Sequence, residues 1–323
     1  MVLFLVKNGK ESYMLVKEIL SALIMIFILI IPGFFFGKKR IIDEHQSQGI
    51  SALAVNLTWP CLVIDAMQLK FSMQTLRDSA YMMGIALLVF GAILVNSFPL
   101  AKLLRLPKTK QYVMLFMLLF GNTGFIGIPV IKALYGSEAV FYAAILEMIN
   151  DLLMFTIGIL LMQMSAGSKL KIRAKDFLSP GLIGVLIGLA LFLADFQLPS
   201  VLGGAVQMIG NATTPLTMFL IGYQLSGLHL REVLGEWQVY LVSLLKLLLV
   251  PVITLIFVKL FSGELSMLEK VLTISFAMPA ASATVIFSQQ YKGEVEFSTK
   301  TVLLSTLISL VTIPVFAILL GAM

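Results

Sequence analysis

Charge is scarce in this sequence. Asp, Glu, Lys and Arg make up 12% of its 323 residues, against about 25% in an ordinary water-facing domain. A surface so poor in charge faces lipid, which excludes a soluble globular class. Cysteine is scarcer still: Cys61 stands alone, so an internal disulfide and any cysteine metal cluster are excluded. The two histidines, His45 and His229, fall in loops without metal-ligand spacing. There is no Walker lysine loop, no nucleophile elbow and no paired catalytic set in a polar stretch. ATP-driven transport and hydrolase chemistry therefore have no motif to rest on, and neither an enzyme nor a bound cofactor is expected.

What the sequence has in abundance is apolar length. Hydrophobic residues make up 59% of it and the mean hydropathy is +1.00. A spanning helix takes about 20 apolar residues, and only helices close their own backbone hydrogen bonds in lipid. Apolar runs between polar breaks give ten expected spans: Met14–Phe36, Gln48–Met67, Ser79–Leu100, Tyr112–Tyr135, Ala139–Met164, Phe177–Asp195, Val201–Leu225, Trp237–Phe261, Leu268–Tyr291 and Phe297–Ala322. The first is of full spanning length and is followed directly by Lys38-Lys39-Arg40 without a small-residue cleavage site, which predicts an uncleaved helix. The 18 methionines are scattered and read as packing and lipid-facing residues.

The formal charge of +6 does not point to nucleic acid, because the basic residues form short runs between apolar segments. The most polar connection, Ser165 to Asp176, carries Lys169, Lys171, Arg173 and Lys175. Of the 23 Lys and Arg, 14 fall in odd-numbered loops, 8 on the opposite side and one, Lys246, inside a span. The positive-inside rule then predicts odd loops in the cytoplasm and both termini outside, in an inner (cell) membrane protein. Asp65 and Lys70 sit at the end of span 2, where a topological role is expected.

An internal repeat is also present. Asn56-Leu57-Thr58-Trp59-Pro60 in span 2 answers to Asn211-Ala212-Thr213-Thr214-Pro215 in span 7, an offset of 155 that also carries Gly49 to Gly204. Tyr135, Glu138 and Phe141 answer to Tyr291, Glu294 and Phe297 at an offset of 156. The expected halves are residues 1–168 and 169–323, five spans each. Five is odd, so the second copy enters the membrane from the other side. Such inverted repeats belong to transporters, with the site at the midplane where the halves meet.

The place of that site is marked by two interruptions. Span 4 reads Gly121-Asn122-Thr123-Gly124-Phe125-Ile126-Gly127-Ile128-Pro129, where proline removes a backbone donor and glycine makes unwinding inexpensive. The repeat carries this segment onto Met278-Pro279-Ala280-Ala281-Ser282-Ala283-Thr284 in span 9. Helices broken in mid-membrane expose amide donors at one new end and carbonyls at the other. Two such helices crossing concentrate partial positive charge able to hold a carboxylate. Asn122, Thr123, Gly124, Gly127, Pro129, Met278, Pro279 and Ser282 are the expected substrate-binding residues. Asn56 and Asn211, each ahead of a proline, are expected to face them, with structural capping an equal contender. Span 5 adds Glu147, Asn150 and Asp151; the two acids are four apart and share a helical face. Lys246 in span 8 is their expected counter-ion. A buried ion pair, proton coupling and sodium coordination all stay open for this group.

Ten spans in two halves, Asn56 with Pro60, the GNTGFIGIP segment and Met278-Pro279 resemble the auxin efflux carrier family over essentially the whole chain. That family includes the plant PIN-formed carriers and bacterial permeases proposed to move malate and malonate. The resemblance implies an all-α polytopic fold of two inverted five-helix repeats, with broken helices 4 and 9 crossing. It also implies elevator-type exchange, with a scaffold from spans 1, 2, 6 and 7 and a transport part from spans 3–5 and 8–10. The plant carriers have Asn-Pro-Asn at the crossover and a long cytoplasmic loop; here Gly121-Asn122-Thr123 stands instead and the loop is missing, which argues against auxin itself. The expected function is secondary transport of a small organic anion, coupled to H+ or Na+ or to neither. The alternative is a monovalent cation/proton antiporter, since Asn150-Asp151 resembles the ion-binding pair of such proteins. The expected partners are an organic acid, the lipid bilayer and a second copy docked through the scaffold helices. A receptor without transport would need a signalling domain, and no stretch reads as one.

Overall fold

The structure, a computed structural model, describes residues 9–167, 179–227, 236–262 and 265–321. Among them all regular elements are helical: α1 (Val16–Lys38), α2 (Glu44–Ala66), α3 (Met73–Leu103), α4 (Lys108–Leu119), α5 (Thr123–Tyr135), α6 (Ser137–Ser165), α7 (Pro180–Leu193), α8 (Ser200–Asn211), α9 (Thr213–Ser226), α10 (Trp237–Ser262), α11 (Met267–Phe276), α12 (Ala283–Tyr291) and α13 (Val295–Gly321). Six of these, α1, α2, α3, α6, α10 and α13, are long and apolar enough to cross a membrane. The chain is a multi-pass membrane protein. Spans 4 and 9 are absent from that set because each is divided at its interruption, and span 7 because the helix is divided at Ala212. Span 6 begins outside the described residues, as do Lys7, Lys169, Lys171, Arg173, Lys175, His229 and Arg231, on which part of the expected orientation rests.

Large apolar side chains face outward on these helices, as Val95, Leu103, Val201 and Val311 do. Hydroxyls are turned inward. Ser97, Ser243, Thr254, Thr273 and Thr301 are buried, each donating to the carbonyl four residues earlier. That bond satisfies a polar group where no water is available.

Among the described residues four helices widen into a π turn, at Ala54–Thr58 in α2, Thr123–Gly127 in α5, Met154–Gly158 in α6 and Leu245–Leu249 in α10. In three of them a proline stands two residues beyond the turn: Pro60, Pro129 and Pro251. A proline inside a helix cannot donate to the carbonyl behind it and crowds that carbonyl with its ring, so the turn below it opens. Helix packing is closest where α1 crosses α9. A Cβ at Gly33 would fall 1.9 Å from the Phe219 carbonyl oxygen, and one at Gly222 would fall 2.0 Å from that of Ile30.

At one end of the bundle Glu236, just before α10, pairs with Lys110 at 3.2 Å and Lys300 at 2.9 Å. It thereby joins α4, α10 and α13. The hydrogen bond from Lys300 holds the Glu236 carboxyl below its ordinary range. A depressed carboxylate contributes its stability above the unfolded-state pKa and loses it as the pH falls through the folded one, so this clasp is closed at neutral pH.

Candidate functional site

The chain leaves the helical conformation at Phe120, which is extended, and re-enters it at Thr123. It does the same between Phe276 and Ala283. The two interruptions run side by side in opposite directions, joined by the bridge of Gly121 with Ala280. Asn122 N donates to Pro279 O at 2.8 Å and Ala281 N donates to Phe120 O at 3.2 Å. Ala280 N is taken up by Ser305 Oγ of α13 at 3.2 Å. Backbone groups freed by one break are thus satisfied by the other, as membrane depth requires. Side chains join in, with Asn122 Nδ2 donating to Ser282 Oγ at 3.2 Å and the Thr123 hydroxyl donating to the Glu147 carboxylate. The packing is tight at Gly121, where a Cβ would lie 3.3 Å from Met278 Cβ.

Beside the paired breaks lies a cavity of about 210 Å³. Asn122, Thr123, Gly124, Ser282, Glu147, Asn150 and Asp151 line it, so residues expected from spans 4, 5 and 9 come together on one wall. Asp151 accepts a hydrogen bond from Ser179 Oγ at 3.1 Å. The cavity also has walls that the sequence reading missed: Trp59 of α2, Ser179 ahead of α7 and Thr217 of α9. The Trp59 indole N–H is buried without a hydrogen-bond partner among the described residues. Its ring lies over Gly181, where a Cβ would fall 1.4 Å from Cζ3. A signal did exist for Trp59, which stands inside the repeated motif at the position of Thr214.

Other expected residues lie elsewhere. Gly127, Pro129, Met278 and Pro279 shape the interruptions and are not in the cavity wall. Asn56 is exposed and donates to Ala52 O at 2.7 Å, and Asn211 Oδ1 accepts from Lys132 Nζ at 2.8 Å; neither lines the cavity, and neither side chain caps a helix. The expected pairing of Lys246 with Glu147 or Asp151 is not formed. Lys246 lies on the other side of the break and donates to Leu118 O at 3.1 Å, and no carboxylate among the described residues forms an ion pair with it. The reason is geometric: the Gly121 segment separates the ammonium from the cavity that holds the acids.

Comparison with known proteins agrees with a membrane transporter. A family model described as "Membrane transport protein" matches residues 18–317. The chain belongs to the auxin efflux carrier family of membrane transporters. It is therefore a transporter by family, not an enzyme. Among its relatives, an "Uncharacterized transporter" of Methanothermobacter thermautotrophicus is 22% identical, covering 93% of this chain and 98% of that protein. The Escherichia coli transporter YfdV is 20% identical over 91% of this chain and 95% of its own. A Rhizobium meliloti protein described as a "Putative malonate transporter" is 23% identical over 92% and 94%.

Proposed function

We propose that this family member is a secondary active transporter of a small carboxylate, coupled to protons and working by elevator-type alternating access. The observation that carries the proposal is the cavity at the paired breaks. The first amides of α5 and α12 have no carbonyl within their own helices, and both helices start at this cavity, which favours an anionic group there. Asn122 and Ser282 add hydrogen-bonding groups, and the relative described as a malonate transporter is consistent with an acid of this size.

Ten spans in two inverted halves, residues 1–168 and 169–323, are part of the same proposal. Thr213 Oγ1 donates to Thr58 Oγ1 at 3.0 Å across an offset of 155, the offset of the sequence repeat, as residues meeting on a two-fold axis do. The contacts of α1 with α9 and of α7 with α2 are likewise the pair that such an axis would interchange. In this reading spans 1, 2, 6 and 7 are the fixed scaffold and the others carry the site. Both termini lie outside an inner membrane.

The test is a thermal-shift screen of the purified protein against short mono- and dicarboxylates, followed by uptake of each hit into proteoliposomes. Asn122→Ala removes a donor to the anion's surroundings; a hydrogen bond to a charged group is worth about 1.5–3 kcal/mol, so binding should weaken roughly 10- to 150-fold. An unchanged affinity would remove the paired breaks from the site. A second reading, a monovalent cation/proton antiporter, is favoured by the two acids in a cavity that no Lys or Arg among the described residues lines. Sodium-driven proton flux without response to any organic acid would assign that activity instead.

A further inference from the structure

The group left without a role is Lys246. It sits in the π turn of α10, is 1% exposed, and has a backbone carbonyl rather than a carboxylate as its partner. That carbonyl belongs to Leu118, the penultimate residue of α4. The last carbonyls of a helix have no donor within it and carry the negative end of its dipole. The same ammonium shares a void of about 20 Å³ with Leu119, Gly121, Ser275 and Phe276, and with Thr123 and Asn150, which also line the main cavity; Ser275 and Phe276 close α11. The carbonyl end of α4 is therefore met by the lysine and the end of α11 lines the same void, while their amide-rich partners open on the main cavity. The ammonium packs against Gly121, where a Cβ would lie in ordinary contact at 3.5 Å from Nζ. A void of this size holds roughly a single water, so nothing larger shares the place with the ammonium.

Half-helix carbonyl ends and unwound backbone are the groups that coordinate sodium at such breaks. We infer that Lys246 is a resident cation at these carbonyl ends, holding the position a coupling sodium ion would otherwise fill, so that the transporter works without sodium. A tethered ammonium supplies the same single positive charge and is not loaded or released during the cycle. The inference rests on the transporter reading of this site, but not on the identity of its cargo.

The test uses the full-length protein in detergent, with thermal unfolding followed in sodium chloride and in choline chloride at equal ionic strength. The wild type should unfold at the same temperature in both. Lys246→Ala opens the carbonyl ends to an ion and should regain stability in sodium, saturably, with a rise on the order of 2–4 °C. Lys246→Met removes the charge but keeps the bulk, and should show no such rise. Sodium stabilisation of the wild type would overturn the inference, as would a folded Ala variant indifferent to sodium. If the Ala variant does not fold, wild-type uptake decides: equal rates in sodium and choline are expected, and stimulation by sodium refutes a resident cation. Failure of the carboxylate reading would appear separately, as absence of uptake in either salt with the unfolding results intact.

Discussion

Glu147→Gln is expected to abolish uphill accumulation of the acid driven by an inward proton gradient, while exchange of internal for external acid continues. Glu147 is 7% exposed, and its carboxylate and that of Asp151 both line the cavity. They are one helical turn apart in α6, and no Lys or Arg among the described residues lines the same space. A carboxylate cargo brought to about 4 Å from an ionised Glu147 would meet roughly 4 kcal/mol of repulsion at an effective dielectric of 20, about a thousandfold in affinity. On the proposed reading cargo and proton therefore enter together. The Gln side chain is permanently neutral, so the acid no longer needs a proton at position 147, and the pH dependence of its apparent affinity should shrink to what Asp151 contributes. The Thr123 hydroxyl, which donates to Glu147, can donate to the Gln carbonyl oxygen instead, so the fold has little reason to change. Reconstituted vesicles with an imposed pH gradient provide the measurement. Accumulation by the variant equal to that of the wild type would show that Glu147 does not carry the proton.

The parts of this site that could be read from the sequence are those set by local backbone chemistry. Gly121 to Pro129 and Met278-Pro279 announce interruptions because glycine and proline act on the helix that contains them. The meeting of the two breaks was accessible only through the repeat. Trp59 belongs to the cavity because α7 passes beneath its ring at Gly181, a relation between residues far apart in sequence that no local pattern encodes. Lys246 misled for a similar reason. Opposite charge names Glu147 or Asp151 as its partner, yet the break stands between them and a carbonyl serves instead. Helix ends misled on polarity: α3 starts at Met73, capped by Ser72 Oγ accepting from Thr75 N at 3.4 Å, whereas hydropathy predicts Ser79 because Gln74, Arg77 and Asp78 lead the helix.

Gly222→Ala and Gly181→Ala each add one methyl group at a helix crossing, and their outcomes should differ completely. At Gly222 the new Cβ would fall 2.0 Å from Ile30 O and 2.7 Å from Phe34 N, both backbone atoms of α1. Neither can step aside unless α1 and α9 separate, and Gly33 faces the Phe219 backbone in the same way at 1.9 Å, so separation undoes both contacts. Overpacking typically costs about 1–3 kcal/mol, and a crossing held by backbone contact lies at the upper end. The expected fall in unfolding temperature is roughly 5–10 °C, with a matching loss of monodisperse protein. At Gly181 the obstructing atoms are the far edge of the Trp59 ring, a side chain beside open space. The ring can turn into the cavity, so the unfolding temperature should hardly move while carboxylate binding is lost. Trp59 and Trp237 are the two tryptophans of the chain, so in a Trp237→Phe background the emission of Trp59 should shift with Gly181→Ala. A stable Gly222 variant would mean that α1 and α9 can part without cost, and Gly181→Ala with full binding would mean that the ring has room elsewhere.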